Sequence, residues 1–404
     1  MALLGHSGSH APQLMHWSVI MMAIQSYFAG QIYNKDPPMP SNPSAASLVH
    51  LLHRWGQWMG STSNRDDWSE WSSSVAVQNP WFEPEMLKQA LNAWSMALDP
   101  HSLERWLTHD KDAPALQRPS RNVGLILPGN IPFAGLHDVL CTLIAGHTAL
   151  VKPSSDDAGL VSWAIQGLLA LQPEWKNRFA IVEKLNRVDA MIATGSASSL
   201  PYFEQYFGQI PHLFRSHRNS IAILDGKEKT EDWIGLGQDI FLYYGKGCRN
   251  VSKVLVPEGM SPQHILDGLQ HYPWEGHNHR YRNNLDYQLA LHMLNRKPFT
   301  HNGSVILVES SKISSPLAVL HFEYYQSEQE LARLILEAMP VTQCWSGNQL
   351  VVQWGQRASF KNQFDETQWN NWCYHAVEFG QCQFPEIDRY ADAVDTLAFL
   401  RSVQ

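Results

Sequence analysis

Short apolar runs alternate with segments of helical spacing through the first half of the chain. The apolar runs lie at residues 122–127, 148–152, 178–183, 190–194 and 220–224. The segments whose apolar residues recur every three or four positions lie at 133–145, 156–171 and 198–207. A continuous apolar run bounded by turn residues predicts a buried parallel strand, and the other spacing predicts a helix. The alternation predicts a doubly wound parallel sheet, whose ligand lies beyond the carboxyl ends of the strands.

Apolar positions before this sheet also follow a helical spacing. Residues 44–59 form one such segment, and residues 86–98 form a second after the turn at 79–84. A short helix is predicted at 102–107. We predict that these helices cover the sheet and do not form a separate domain.

The second half of the chain repeats the alternation. Helices are predicted at 230–243, 262–269, 283–294 and 327–339. Apolar runs lie at 253–256, 304–309, 316–322 and 350–354. This pattern predicts a second α/β unit.

Composition and charge exclude several classes of protein. Apolar residues make up 44% of the chain and charged residues 17%, as in an ordinary globular enzyme. The formal net charge of −8 argues against a nucleic-acid partner. The apolar segment 17–30 is too short and too interrupted for a membrane span. A secretory signal has a positively charged leader, whereas no Lys or Arg precedes this segment. We therefore predict a cytoplasmic protein without a membrane span.

The 16 tryptophans are predicted to fill helix–sheet interfaces, with an apolar channel as the alternative.

The cysteines indicate reduced thiols. Their number is odd, and no two have the CxxC spacing of a zinc site. They are Cys141, Cys248, Cys344, Cys373 and Cys382. His277 and His279 could suggest a metal, but no Cys, Asp or His nearby completes a ligand set, so we predict no metal site.

Three loops follow predicted strands of the first sheet. They are 128–130 (Pro-Gly-Asn), 152–154 (Lys-Pro-Ser) and 194–196 (Thr-Gly-Ser). Each alone could be an ordinary turn, and Lys152 could be a solvated surface lysine. Three such loops at the ends of strands in one sheet favour a ligand site. The G-x-G-x-x-G fingerprint is absent, so the usual dinucleotide motif does not support this prediction.

Cys248 is the candidate nucleophile. It follows the segment Gly245-Lys246-Gly247 and is followed by Arg249. Two glycines and two cations thus lie within three residues of it. Nearby positive charge favours the thiolate, which is the reactive form of cysteine. The alternative is a buried inert thiol, and we predict that fate for Cys141, Cys344 and Cys373.

The same residues carry a resemblance to a known superfamily. The order strand, PGN, helix, strand, VKP, then ATGS and a later G-x-G-C resembles the aldehyde dehydrogenases, and more closely the acyl-CoA reductases of the LuxC type. The segments that carry it are 79–87 (NPWFEPEML), 127–137 (LPGNIPFAGLH), 189–196 (DAMIATGS), 202–215, 218–224, 239–253 (DIFLYYGKGCRNVSK), 283–295 and 390–400. The likeness begins near residue 48 and continues to the end of the chain.

This resemblance implies roles for five residues. Cys248 would form a thioester with the acyl group, and the Asn130 side chain would hold the oxygen of the tetrahedral intermediate. Lys152 would contact the adenosine ribose of a nicotinamide cofactor, and Gly195 and Ser196 would lie against its pyrophosphate. The cofactor expected from the family is NADPH, with NADH as the alternative. The likeness also implies a homo-oligomer.

One departure from the superfamily pattern narrows the chemistry. Hydrolytic aldehyde dehydrogenases carry a glutamate in a Glu-Leu-Gly-Gly motif, whereas the matching segment 214–220 here has no carboxylate. Without that base, transfer of the acyl group to or from CoA is favoured over hydrolysis. His217 could shuttle protons, although a structural or CoA-facing role is the stronger reading. The glutamate that binds the nicotinamide ribose in the superfamily has no clean match.

The resulting prediction is an aldehyde-dehydrogenase-like α/β protein that reduces a fatty or other acyl-CoA to the aldehyde with NADPH, with a medium- or long-chain acyl group as the first hypothesis. Residues 44–228 are assigned to the N-terminal helices and a Rossmann-type cofactor domain, 229–378 to the catalytic domain, and 379–404 to a C-terminal segment that packs back on the body. Residues 1–43 are predicted to be an atypical leader, partly disordered. The alternatives are an acylating semialdehyde dehydrogenase with a small substrate and an inactive scaffold protein.

Overall fold

The computed structural model describes residues 44–108, 119–196, 198–216, 218–274, 276, 278–349 and 358–403. The predicted leader 1–43 and the predicted strand 350–354 lie outside the described residues. Within these ranges no helix is both long enough and apolar enough to span a membrane.

Helices and strands alternate along most of the described chain. The helices are α1 (Ala45–Ser61), α2 (Trp68–Gln78), α3 (Pro84–Ala97), α4 (Pro100–Thr108), α5 (Leu136–Ile144), α6 (Leu160–Leu171), α7 (Leu200–Phe207), α8 (Thr230–Phe241), α9 (Pro262–Leu269), α10 (His279–Leu294), α11 (Glu328–Ala338), α12 (Ala358–Lys361), α13 (Glu366–His375) and α14 (Thr396–Ser402). The strands are β1 (Asn122–Ile126), β2 (Thr148–Lys152), β3 (Phe179–Ile181), β4 (Ala190–Thr194), β5 (His212–Arg215), β6 (Asn219–Ile223), β7 (Val251–Pro257), β8 (Thr300–His301), β9 (Ile306–Glu309), β10 (Val319–Tyr325), β11 (Thr342–Gly347) and β12 (Ala376–Glu378).

The N-terminal helices share one hydrophobic core with the first sheet. Ser44 caps α1 by accepting a hydrogen bond from the Ser47 N–H at 3.2 Å. The Trp55 indole donates to the Ala164 carbonyl at 2.9 Å, which ties α1 to α6. Trp58 stacks on Trp163 with ring centroids 4.5 Å apart. Several tryptophans are therefore packing residues between helices, which is the first of the two interpretations given for them.

The first sheet is parallel and has the order β3-β2-β1-β4-β5 in the described chain. The bounds of β2 and β4 agree with the predicted runs at 148–152 and 190–194. Strand β5 was not predicted, because it is a short edge strand that mixes polar, basic and apolar residues. The prediction of a doubly wound parallel sheet holds for this half of the molecule.

The predicted strand at 220–224 was expected to close the first sheet, and this is wrong. Strand β6 pairs with β7 and β11 in the second sheet. Only residues 216–218 connect β5 to β6. A parallel neighbour in the same sheet needs a crossover of about a dozen residues or more. Because this link is much shorter, the chain passes into another sheet. The change of sheet therefore comes before β6.

The second sheet has the order β12-β11-β6-β7-β10-β9-β8 in the described chain. Its pairs are parallel except for β8 with β9. Separate apolar clusters cover its two faces. Strand β11 was not predicted because polar residues interrupt its apolar ones, although the whole strand is buried.

The C-terminal segment crosses back over the first half of the molecule. The Trp106 indole donates to the Tyr390 hydroxyl at 2.8 Å, and a His147 ring nitrogen lies 2.9 Å from the Leu400 carbonyl oxygen. Arg215 at the end of β5 forms a buried ion pair with Asp138 on α5 and donates to the Thr396 hydroxyl at 2.8 Å. Polar contacts thus join the end of the chain to α4, α5 and β5.

We expect Arg215→Ala to lower the free energy of unfolding by about 3–5 kcal/mol, because it leaves Asp138 as an unpaired buried charge. Urea unfolding followed by tryptophan fluorescence measures this change. Arg333→Ala is the matched control, because Arg333 and its partner Glu337 are exposed and screened by water. Equal losses in the two variants would contradict the assignment of Arg215 as a central link.

Candidate active site

The loop that carries Cys248 begins with an unusual backbone turn. Tyr243, Tyr244 and Gly245 follow α8 with φ angles of 54°, 58° and 73°. The left-handed region costs a residue other than glycine about 1–2 kcal/mol. Both tyrosines are buried, so their packing offsets this strain. The turn places Cys248 between the end of α8 and the start of β7.

Asn250 holds this loop in place. Its side-chain oxygen accepts a hydrogen bond from the Gly247 N–H at 2.8 Å. Its amide nitrogen donates to the carbonyl oxygens of Asp239 at 3.0 Å and Leu242 at 2.7 Å. These carbonyls lie at the end of α8, where helical partners are missing. The Ser220 hydroxyl donates to the Cys248 carbonyl at 3.1 Å and fixes the loop from β6.

The structure brings Asn130 against the cysteine loop. Its amide nitrogen donates to the Lys246 carbonyl oxygen at 2.7 Å. On its other side the Asn130 loop packs against the segment after β2, where a Cβ on Gly129 would lie 2.8 Å from the backbone nitrogen of Asp157. The bond to Lys246 uses one of the two N–H groups of the amide. The arrangement places a side-chain amide against the loop that carries the candidate nucleophile, and the role of Asn130 as an oxyanion donor stays a prediction.

A turn before α3 contacts the cysteine loop and the segment that packs against Gly129. The Asn79 amide donates to the Asp156 carbonyl at 2.7 Å, beside the loop of Gly129. The carboxylate of Glu83 accepts hydrogen bonds from the Tyr244 hydroxyl and, at 3.0 Å, from the Asn278 amide. The sequence suggested only a turn that opens a helix here. Its contacts depend on partners far away in the chain.

The two cations beside Cys248 have different surroundings. The Lys246 ammonium lies 4.2 Å from the ring centroid of Trp81, and burial lowers the pKa of this lysine. Cys248 itself is half-buried. Burial raises the pKa of its thiol, as do Cys344 and Asp392, while Arg249 lowers it. Of the two neighbouring cations, only Arg249 lowers the pKa of the thiol as expected, and the opposite effect of burial is larger.

The loops predicted to hold a cofactor lie at one edge of the first sheet. Strands β2, β1 and β4 are parallel neighbours, so their carboxyl ends meet at this edge. Lys152 is exposed at the end of β2. A Cβ on Gly195 would lie 2.8 Å from the ring of Phe203, so glycine is needed for this close approach. The exposed Ser196 hydroxyl lies 2.8 Å from that of Ser198.

The remaining candidate residues are dispersed. Cys141 and Cys344 are buried as predicted, but Cys373 is exposed, which corrects the expectation for it. Cys373 follows Trp372 on α13, and the helical turn between them points only Trp372 into the core. His217 and His277 lie outside the described residues. Among the residues that are described, no group of three or more His, Cys, Asp or Glu is placed to hold a metal ion.

Comparisons with known proteins agree with this architecture. Residues 69–266 match a family model described as acyl-CoA reductase (LuxC). No curated protein matches the chain. An aldehyde dehydrogenase from Bacillus cereus in its NAD+ complex has a TM-score of 0.54 and 13% identity, covering 85% of this chain and 79% of that chain.

Two further solved structures are similar. Aldehyde dehydrogenase 21 from Physcomitrella patens, in complex with its reaction product succinate, has a TM-score of 0.55 and 11% identity, covering 87% of this chain and 79% of that chain. The NAD-dependent aldehyde dehydrogenase from Sinorhizobium meliloti has a TM-score of 0.53 and 14% identity, covering 82% and 74%. At these identities the likeness shows the fold, which is that of the aldehyde dehydrogenases.

We expect Asn250→Ala to lower the free energy of unfolding by about 1–3 kcal/mol, because it leaves buried carbonyl groups at the end of α8 without donors. Chemical unfolding measures this loss. Asn284→Ala serves as the control, since the Asn284 amide is exposed and makes one local bond to the Arg280 carbonyl. If the two variants are equally stable, Asn250 does not hold the loop.

The raised pKa of Cys248 predicts how its reactivity varies with pH. Iodoacetamide reacts with the thiolate, so its rate at Cys248 should still be rising above pH 8.5, near the ordinary cysteine pKa of about 8.5. Peptide mass spectrometry after timed labelling gives the rate at this residue, and the urea-unfolded chain gives the reference midpoint. A rate that levels off below pH 7 would show that the thiolate is stabilised instead.

Proposed function

We propose that the chain is an acyl-CoA reductase of the LuxC family, whose model matches residues 69–266, and that it reduces a fatty or other acyl-CoA to the aldehyde with NADPH through a thioester of Cys248. The observation that carries this proposal is the approach of Asn130 to the cysteine loop, with its amide 2.7 Å from the Lys246 carbonyl oxygen. A nucleophile beside a side-chain amide donor is the pair that acyl transfer needs. The presence of both residues argues against an inactive scaffold.

The Cys248 sulfur attacks the thioester carbonyl carbon in the first step. The bond from that carbon to the CoA sulfur then breaks, and CoA leaves as a thiol. The proton that Cys248 gives up balances the proton that CoA takes. Because a thiol replaces a thiol, this exchange needs no strong base, which agrees with the absence of a carboxylate from residues 214–220. An N–H of the Asn130 amide stabilises the carbonyl oxygen as it gains negative charge.

The edge of the first sheet fits a dinucleotide. Lys152 and the Ser196 hydroxyl are exposed there and suit ribose and phosphate oxygens, and Gly195 lets the turn that carries Ser196 pack on Phe203. When bound, the nicotinamide supplies the hydride that reduces the acyl carbon. Release of the aldehyde would break the bond between that carbon and the Cys248 sulfur, and the sulfur, which leaves as a thiolate, would take a proton from solvent to restore the thiol. NADPH is favoured over NADH by the family likeness.

We expect Cys248→Ala to abolish acyl-CoA-dependent oxidation of NADPH, since the thioester cannot form. Asn130→Ala should lower kcat by roughly 100–1,000-fold, because one oxyanion donor is lost. Loss of NADPH absorbance with butyryl-CoA measures both effects, and NADH in a parallel assay tests the cofactor preference. Cys373→Ala is the control, as Cys373 is exposed on α13.

The control variant should keep the wild-type rate. Turnover in Cys248→Ala would exclude the thioester mechanism, and an unchanged kcat in Asn130→Ala would exclude the proposed oxyanion donor.

A further inference from the structure

Helix α10 carries apolar residues on two opposite sides. On its inner side Tyr281 and Leu285 are buried in the core, and the Tyr281 hydroxyl donates to the Ser304 carbonyl at 2.8 Å. A helix at the surface usually presents polar residues to water on its other side. The exposed side of α10 instead carries an outer stripe of apolar residues, whose spacing of three and four places them along one line of the helix. The outer stripe consists of Tyr287, Ala290, Leu291 and Leu294.

The outer stripe is most exposed where α10 ends. Tyr287 is 62% exposed, and Leu294, the last residue of the helix, is 81% exposed. Met293, beside the stripe, is 61% exposed. The chain then turns through Arg296, whose φ angle is 52°, toward the short edge strand β8. Apolar side chains thus form the surface of one corner of the molecule, and an exposed apolar patch of this kind marks a place of contact.

The same corner is locally basic. Arg296 and Lys297 follow the helix, and residues 287–308 contain no Asp or Glu. The one carboxylate of α10, Asp286, precedes this segment, and Glu309 follows it. Within the ranges that the structure describes, the exposed Arg296 and Lys297 form no ion pair with either of them or with any other carboxylate. Because the whole chain has a formal net charge of −8, this excess of positive charge is a local feature that favours an anionic partner.

A second copy of this chain does not fit the corner. Arg280 and Arg282 lie in the first turn of α10, and Arg296 and Lys297 follow its last turn. Antiparallel pairing of two α10 helices would bring the cations of one copy against those of the other, and parallel pairing would do the same. Like charges that face each other across an interface oppose binding.

The size of the patch also distinguishes between the remaining partners. The outer stripe spans about 10 Å along the helix. A specific protein interface uses about 20–30 residues on each side, far more than this corner offers. A lipid surface needs fewer residues, because apolar side chains enter the boundary between headgroups and acyl chains while nearby Lys and Arg attract anionic headgroups.

We propose that the C-terminal half of α10 docks reversibly on an anionic lipid surface. Leu291, Met293 and Leu294 enter the apolar boundary of the bilayer, and Arg296 and Lys297 lie against lipid phosphates. The inner side of α10 stays packed on the core, so docking requires no unfolding of the helix. This inference goes beyond the proposed function, and its test requires no turnover.

Co-sedimentation of the full chain with lipid vesicles tests the contact. Mixed vesicles contain equal parts of phosphatidylcholine and phosphatidylglycerol, and neutral vesicles contain phosphatidylcholine alone. We expect wild type to bind mixed vesicles about 10–30-fold more tightly than neutral ones, since each of the two cations contributes about five-fold near an anionic surface. Added salt should reduce this difference, because it screens the charges.

Two double variants separate the apolar contribution from that of charge. Met293→Ser/Leu294→Ser should lower the partition coefficient on both kinds of vesicle by roughly 10–100-fold, because two apolar side chains no longer leave water. Arg296→Gln/Lys297→Gln should lower it by about 10–30-fold on mixed vesicles and leave it unchanged on neutral ones. Leu294→Met keeps an apolar side chain of similar volume and should bind like wild type.

Matched variants elsewhere on the surface provide the controls. Val77→Ser removes an apolar side chain that is 83% exposed on α2, and Lys176→Gln/Lys184→Gln removes two exposed lysines. Both should bind vesicles like wild type. Urea unfolding should give the same midpoint for every variant, since all the altered side chains are exposed.

Absence of vesicle binding by wild type would overturn the proposal, as would equal binding by wild type and Met293→Ser/Leu294→Ser. Equal losses in Lys176→Gln/Lys184→Gln and Arg296→Gln/Lys297→Gln would also overturn it, because the attraction would then be to the charge of the whole chain. Sedimentation equilibrium without vesicles tests the second copy. A smaller oligomer in Met293→Ser/Leu294→Ser than in wild type would place another copy on this corner and exclude the lipid contact. The reductase proposal is decided separately, by oxidation of NADPH.

Discussion

The placement of the candidate nucleophile depends on the hydrogen bonds of one buried amide. Asn250 supplies donors to carbonyl groups at the end of α8 and an acceptor to the Gly247 N–H. A buried polar group without a partner costs about 1–3 kcal/mol, so the loop cannot change shape without losing several such partners. The strained turn at Tyr243 and Tyr244 persists for the same reason. Everything proposed for Cys248 assumes this rigid loop.

The loop also needs a fixed partner in the other half of the molecule. The Lys246 carbonyl accepts a hydrogen bond from the Asn130 amide. The turn before α3 contacts the Asp156 carbonyl after β2 through Asn79, and Tyr244 of the cysteine loop through Glu83. These contacts connect the two sheets where the site is formed. The C-terminal segment adds a second connection, because Asp392 meets Arg218 at the start of the second sheet. The site is thus assembled from segments at both ends of the described chain.

Sequence patterns predicted the strands that consist of an unbroken run of apolar residues. Strands β2 and β4 are continuous apolar runs between turns, and their bounds were predicted correctly. Strand β11 is buried as well, but polar side chains interrupt its pattern, and the sheet assignment of β6 depended on the length of a connection. The strand-end rule predicted that the loop of Asn130 would face a ligand site. The roles of Asn250 and Asp392 were not predicted, because a hydrogen-bonding residue carries no periodic signal and its partner is known only once the chain is folded.

The raised pKa of Cys248 is compatible with acyl exchange and less so with hydrolysis. Hydrolysis consumes water and needs a base, whereas exchange between two thiols returns the proton that the nucleophile loses. Asp392 is a carboxylate in this region, and it is paired with Arg218 at 2.8 Å. Burial raises the pKa of Asp392, and the Arg218 charge opposes this effect. Arg249 opposes the effect of burial on the thiol and has no carboxylate partner in the described chain.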